Sequence, residues 1–556
     1  MGLFKNLSFA FLIWGAFLEG GTDSSQILFL MHNGDPSAAI DRYFELYEKT
    51  KEHDFELLQE LSIALIEQGW RSRDLEAKVL ALFGAGISAS EKAISILREG
   101  LNSREPQFQL IALNLLARQQ NDLADEGVKL ALGSPYPLIR MEALYYLAQN
   151  KDKHASEQAE ALMSKFPNEI KPVFPKIFAL FDDPRSTKIL RKLLNDPSER
   201  VRLETILSIG EMQRDDLLPQ IRRIATQRHH AIQEACATVL GNLNDTESLE
   251  LLKRITNSSS EHVKIAAWKS LSLLGDEEAS STILQAAKEG NLFAIAALAD
   301  LENTEDTLAA LTKDSNLQVR TNAAIALLEK RDVRCLPEIF EVIIEDHRGL
   351  AYIKTFSPGA SLSFWKAIPA AREKLVGNEA ALELSMSMRE TILTKILELP
   401  EEHFLKAAEV VIVSNRTELI PKVISLLEML QTTKAIAVLK KYHQQIGAPL
   451  LRNYCTLALY RLHEGENYTE NLLTLITNQK NFELIRLRPV IPLELRHERT
   501  PYQITPEERS RFLIEALESL TAAQNREGVE TLLKTIRHGN EKNKYALAGL
   551  LARAIQ

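Results

Sequence analysis

Few residues in this chain have types and spacings that do chemistry, and none of them completes a reaction centre. His229 and His230 are the nearest approach to a metal-binding pair. Adjacent residues on a helix point apart, so the two rings do not share an ion. His347-Arg348 lacks the aspartate and downstream asparagine of a kinase catalytic loop. Cys236, Cys335 and Cys455 are too far apart for zinc spacing or a disulfide framework and read as packed thiols. The 556 residues contain no glycine-rich phosphate loop, dinucleotide fingerprint or nucleophile elbow. The sequence therefore predicts no catalytic residue, no metal site and no cofactor.

What remains is contact chemistry. Tyr and Trp give large contact area at low entropic cost, and rigid scaffolds carry function on the residues they leave uncovered. By helical register Glu142, Tyr145, Glu204 and Lys269 lie off the buried stripe of their helices, with Trp268 at its edge. Trp365 stands in an irregular segment with Tyr352, Phe356 and Phe364 beside the Pro358-Gly359 turn. Those aromatics serve either as binding anchors or, the plainer reading, as a plug between two helical segments. Arg496 lies in an arginine- and proline-rich interruption from Arg486 to Pro506, which reads as a solvated connector or as a surface for an acidic partner or a phosphate.

The elements that must hold these residues are read from periodicity. Val201, Thr205 and Ile209 share one helical face. A single constant step leads without a slip through the markers Ala77, Phe108, Ile139, Ile170, Val201, Ile232 and Val263. The places eight later are Ala85, Leu116, Leu147, Phe178, Ile209, Leu240 and Leu271, all apolar. The residue after each marker is long and polar: Lys78, Gln109, Arg140, Lys171, Arg202, Gln233 and Lys264. A second register, Val128, Ala159, Leu190, Ile221, Leu252 and Ile283, with an apolar residue three later, places another amphipathic helix in each unit. Two short helices cannot bury their own apolar faces, so successive units must stack in line and share one core. The fold class is all-α, a solenoid of stacked helix pairs.

Asp196-Pro197 ahead of Val201-Arg202, Ser134-Pro135 ahead of Ile139-Arg140 and Asp314 ahead of Val319-Arg320 resemble the second helix of a HEAT repeat. The short period is most similar to the bacterial HEAT-like units named after the phycobilisome lyases. The resemblance implies a right-handed α-α superhelix whose second helices line a concave, protein-binding face. It also implies a ladder in which the residue after the marker pairs with an acid or carbonyl of the preceding turn, with Asp196, Asp314, Ser134 and Ser258 at the receiving place. Bilin-lyase activity comes with the family name alone, because no residue of this sequence maps onto a chromophore-binding position.

Along the chain, residues 1–21 hold an apolar run from Leu7 to Leu18 behind Lys5, the layout of a secretory signal or membrane tether without a clean cleavage site. An apolar first helix is the alternative, and export or membrane association is favoured over a cytoplasmic location. Residues 33–76 read as atypical N-terminal capping helices, 77–345 as the HEAT-like solenoid and 346–370 as the aromatic irregular segment. Residues 371–480 read as a second, more divergent helical-repeat segment with markers Met388, Leu419 and Leu451, and 481–556 as a loop and C-terminal capping helices. Pro172 and Pro175 fall inside an expected helix and predict a shifted start or a kink. The shortened steps from Val263 to Leu292 and on to Val319 predict a change of curvature near residues 288–318. A net charge of −9 argues against affinity built on phosphate neutralisation, so a protein partner is expected, not nucleic acid. The register predicts that Leu240→Ala or Leu271→Ala costs about 2–5 kcal/mol in urea unfolding, whereas Glu204→Ala costs little. Equal losses would mean the register is wrong.

Overall fold

The computed structural model describes residues 22–119, 121–152, 155–181, 183–344, 388–478, 485–486, 506–522 and 525–555. Among them there are only helices and their connections, arranged as successive antiparallel pairs. The chain is an all-α solenoid of stacked helix pairs. The marker positions form its core: Val201, Ile232, Val263, Ile209 and Leu240 are fully buried, as are Leu190, Ile221, Leu252 and Ile283 of the first helices. Ile170 is the one first-series marker left partly exposed.

The pairs repeat because their turns repeat. Ala89, Lys151, Gln213, Asn244 and Gly275 all have left-handed backbone (φ 50, 55, 53, 53 and 93°) and recur at the marker interval or twice that interval. In each of the last four turns the next residue's N–H closes back on the core residue five earlier, Asp152 on Leu147, Arg214 on Ile209, Asp245 on Leu240 and Asp276 on Leu271. That bond ends the second helix. Arg214, Asp245 and Asp276, which make it, also stand at the start of the next first helix, and Asp276 caps that helix by accepting the Ala279 N–H at 3.0 Å. Three residues thus stop one helix and start another.

The turn inside each pair is also built by one repeated residue. Side-chain oxygens of Ser72, Ser103, Ser134, Asp196 and Ser258 each accept the N–H two residues on, at 2.9–3.2 Å. The ladder implied by the family resemblance is present here in part. Gln109 and Arg202 donate to the carbonyls of Ser103 and Asp196, six residues earlier, at 2.6 and 2.7 Å, and Arg452 does so to Ile446 at 2.9 Å. Two rungs cross to the next repeat: the Ser134 hydroxyl donates to Gln109 Oε1 at 2.6 Å, and the Lys171 ammonium donates to Asp196 at 2.5 Å. In the second series the equivalent Arg389 pairs with Glu418 at 3.2 Å, both side chains 2% exposed. Removing one partner of such a buried pair costs about 3–5 kcal/mol.

The prolines resolve as a shifted start. Lys171–Val173 is a 3-10 turn, and the helix proper runs Phe174–Leu180 with Pro175 in its first turn, where no intrahelical N–H is needed. The shortening falls on one second helix, Leu292–Ala297, of 6 residues, against 13 in each of Glu261–Leu273 and Leu317–Glu329.

The described residues form two compact units, one from residues up to Ala143 and from Leu459 onward, the other from Leu144–Ala458. In the first unit the beginning and the end of the chain pack together: helix Lys544–Ala554 lies on helices Phe55–Arg71 and Leu75–Ser88. Lys542 bridges Asp74 and Glu76 at 2.6 and 2.5 Å, Arg537 reaches Asp41 at 2.5 Å, and Tyr47 donates to Glu530 at 3.2 Å. Two glycines make the crossing close, since a Cβ on Gly549 would sit 2.1 Å from the Gly84 carbonyl oxygen. In an exposed helix Gly→Ala gains about 0.5–1 kcal/mol. At Gly549 the sign should reverse, with Gly549→Ala losing about 1–3 kcal/mol by overpacking; a gain in urea unfolding would show that the two helices do not meet there.

Candidate protein-interaction face

The second helices bury most of their surface against neighbours, so what they leave uncovered is set by a few register positions. Tyr145 and Trp268 are partly exposed, Tyr145 edge-on to Tyr146 with ring centroids 6.3 Å apart. Helix Glu261–Leu273 buries Val263, Ile265, Ala267, Ser270 and Leu271, so Trp268 is an aromatic ring held at the edge of a packed helix. Glu142, in the first unit, is partly exposed on helix Pro137–Gln149.

Two register-based placements need correction. Lys269 is not off the buried stripe: it is 6% exposed, and its ammonium lies 2.5 Å from Asp300 one repeat on. Its long side chain runs along the adjoining repeat to the acid, which a helical wheel of one helix does not represent. Glu204 is partly buried, not exposed. Burial pushes its carboxyl above the usual range, with Glu211 adding to the rise and Arg200 and Lys176 opposing it.

Lys176 was missed by register reasoning. It sits six residues after its marker, as Tyr145 and Lys269 do, and reaches Glu211 of the next second helix at 3.0 Å, where the acid is 13% exposed. Lys176–Glu211 and Lys269–Asp300 are rungs of a second ladder, tying neighbouring second helices across the layer that carries Tyr145, Glu204 and Trp268. Trp365, Arg496, the Tyr352–Trp365 aromatic segment, His347-Arg348 and residues 1–21 lie outside the described residues.

The remaining polar candidates have structural partners. His229 Nε2 is 3.1 Å from Glu199, while His230 lies near Ser258 and Ser259. Cys236, Cys335 and Cys455 are buried and free, and desolvation raises all three thiols, Cys335 and Cys455 to about 12. They are packed, inert thiols. Among the described residues no group of three or more His, Cys, Asp or Glu is placed to hold a metal. No helix among them is long and apolar enough to cross a membrane.

Residues 218–299 match the family model described as HEAT repeats. The match covers one stretch of the second unit. It contains Trp268 and Lys269, the core residue Leu240 and the left-handed turns at Asn244 and Gly275. A comparison with curated proteins finds no significant match. Among solved structures, UNC-45 from Drosophila melanogaster is similar at 13% identity over 96% of this chain and 93% of its own, with a TM-score of 0.32. Kap95p, in a structure describing its effect on the switch loops of RanGDP, is similar at 13% identity over 92% of this chain and 79% of its own, with a TM-score of 0.34. A homology model of the full-length AP-3 complex matches at 12% identity over 81% of this chain and 96% of its own, with a TM-score of 0.29. Scores this low carry no information about activity.

Because the folded pKa of Glu204 lies above its unfolded value, the charged carboxylate opposes folding at neutral pH. That penalty is fully present above the folded pKa and fades as pH falls through it towards the unfolded value. Glu204→Gln should therefore raise stability at pH 7 and lose that advantage under acid conditions; urea unfolding at both pH values checks this.

Proposed function

We propose that the chain is a non-catalytic protein-interaction scaffold that binds a partner segment along the concave face formed by its second helices. The observation that carries this reading is Trp268, a large ring left partly uncovered on a helix whose neighbouring residues are packed. Rigidly held aromatics lose little entropy on binding and dominate interface energetics. Tyr145 and Glu204 extend the same layer of the second unit, and the Lys176–Glu211 and Lys269–Asp300 rungs hold its helices in fixed spacing. The short, constant repeat from Ala77 to Val263 supports a closer kinship with the units named after phycobilisome lyases, as a matter of shape and not of reaction.

The run Leu7 to Leu18 behind Lys5 supports a second component of the reading, in which residues 1–21 address the scaffold to export or to a membrane surface. Fractionation of tagged chains with and without residues 1–21 separates this from a cytoplasmic scaffold.

Affinity capture from the native organism tests the main reading when the native chain and Trp268→Ser are compared. A protein retained by the first and lost by the second, with unchanged melting, is the expected result. A bound pigment or small molecule without protein would overturn the scaffold in favour of bilin chemistry.

A further inference from the structure

The first helices carry a pattern that the second-helix face does not use. Helices Pro184–Leu193, Leu218–Ala225 and Leu249–Ile255 each end in two adjacent cations, Arg191-Lys192, Arg222-Arg223 and Lys253-Arg254, spaced at the marker interval. The two columns have different fates. Arg222 is bonded to Asp245 at 2.7 Å and pairs with Glu247 at 2.5 Å, Lys253 lies 3.7 Å from Asp276, and Arg191 acts on Asp216. Each cation of this first column faces an acid of the next repeat, most closely at Arg222.

Among the described residues no acid of the next repeat lies within ion-pairing distance of the second column. Arg223 donates only to the neutral Asn195 amide at 3.3 Å, and Arg254 only to the Glu250 carbonyl at 3.4 Å. Lys192 is 3.7 Å from Glu160, a carboxylate already held by Arg185 at 3.2 Å. All three side chains are exposed, flanked by the polar residues Asn195, Thr226 and Asn257, exposed as well. One cation in a last turn complements the helix dipole. The Asp-paired column already supplies it, so the second cation of each helix is surplus to what the fold requires.

We propose that Lys192, Arg223 and Arg254 form a docking strip for an extended acidic protein segment. Packed helices lie about 8–10 Å apart, close to three residues of a polyproline II-like extended segment at about 3.1 Å each, whose three-residue turn puts every third side chain on one face, so acids at every third residue meet one cation per repeat. Asp216 lies in the 3-10 turn before helix Leu218–Ala225, Glu247 in the turn before helix Leu249–Ile255 and Glu250 in the first turn of that helix, each at the end opposite the cations, which confines the strip to one segment's width. Together with the net charge of −9, they disfavour a continuous polyanion such as nucleic acid.

The test uses the full chain and fluorescence anisotropy of a labelled peptide with Glu at every third position, at low salt. The native chain should bind, and K192E/R223E/R254E should bind about tenfold more weakly, since three exposed pairs are lost and three like-charge repulsions are added. Gln at the same three positions should give a smaller loss in the same direction, and all variants should melt with the native chain. K288E/K313E/K434E, an equal charge change elsewhere on the exposed surface, should keep the native affinity, as should Trp268→Ser, which separates this strip from the second-helix face. No binding by the native chain, equal weakening in both triple variants, or tighter binding of a single-stranded oligonucleotide of equal length would overturn the proposal.

Discussion

The structure depends on one constraint: a pair of short helices has apolar surface on more sides than it can cover by itself. Every feature of the repeat serves the stacking that covers it. The left-handed residue at Gln213, Asn244 and Gly275 lets a second helix end and the next first helix begin within three residues, so the core residues Ile209, Leu240 and Leu271 arrive at the same place in each layer. Side chains alone would leave the spacing loose, because apolar burial is not directional. Direction comes from the polar rungs, Gln109 to Ser134 and Lys171 to Asp196 on one side and Lys176 to Glu211 and Lys269 to Asp300 on the other.

The same rungs explain why charge on this surface divides into spent and unspent residues. Arg222 and Arg223 are neighbours in one turn, yet the first meets two acids and the second none. Repeat proteins multiply such a difference: what one unit leaves over, three units present as a strip. Binding surfaces in a solenoid arise from register positions that the stacking does not consume, and both the Trp268 face and the cationic strip are of that kind.

Much of the fold was legible because a spacing that holds without a slip from Ala77 to Val263 is long enough to be distinctive and rigid enough to survive substitution. Marker positions and the residue after each marker were readable from the chain alone, as was the shifted start at Pro172 and Pro175, since proline's missing N–H restricts where it sits. Lys269 was misread and Lys176 overlooked for one reason. A helical wheel describes a helix in solvent, whereas the long, flexible side chain of a lysine finds its partner on the adjoining repeat. The left-handed turns were hidden because Ala89, Lys151 and Gln213 occupy positions where glycine or asparagine would have signalled them. The packing of helix Lys544–Ala554 on the first helices of the chain has no periodic signature at all, because it joins elements separated by nearly the whole sequence.

The central claim is that each repeat is stabilised mainly by its immediate neighbours. Native-state hydrogen exchange on Ile232→Ala, which empties a fully buried marker, tests it most directly. Nearest-neighbour stacking predicts faster exchange across helices Glu199–Glu211, His230–Asn242 and Glu261–Leu273, with protection in Glu401–Val413 and Ile420–Leu430 unchanged. An equal loss of protection in both regions would contradict the account and show a core shared globally.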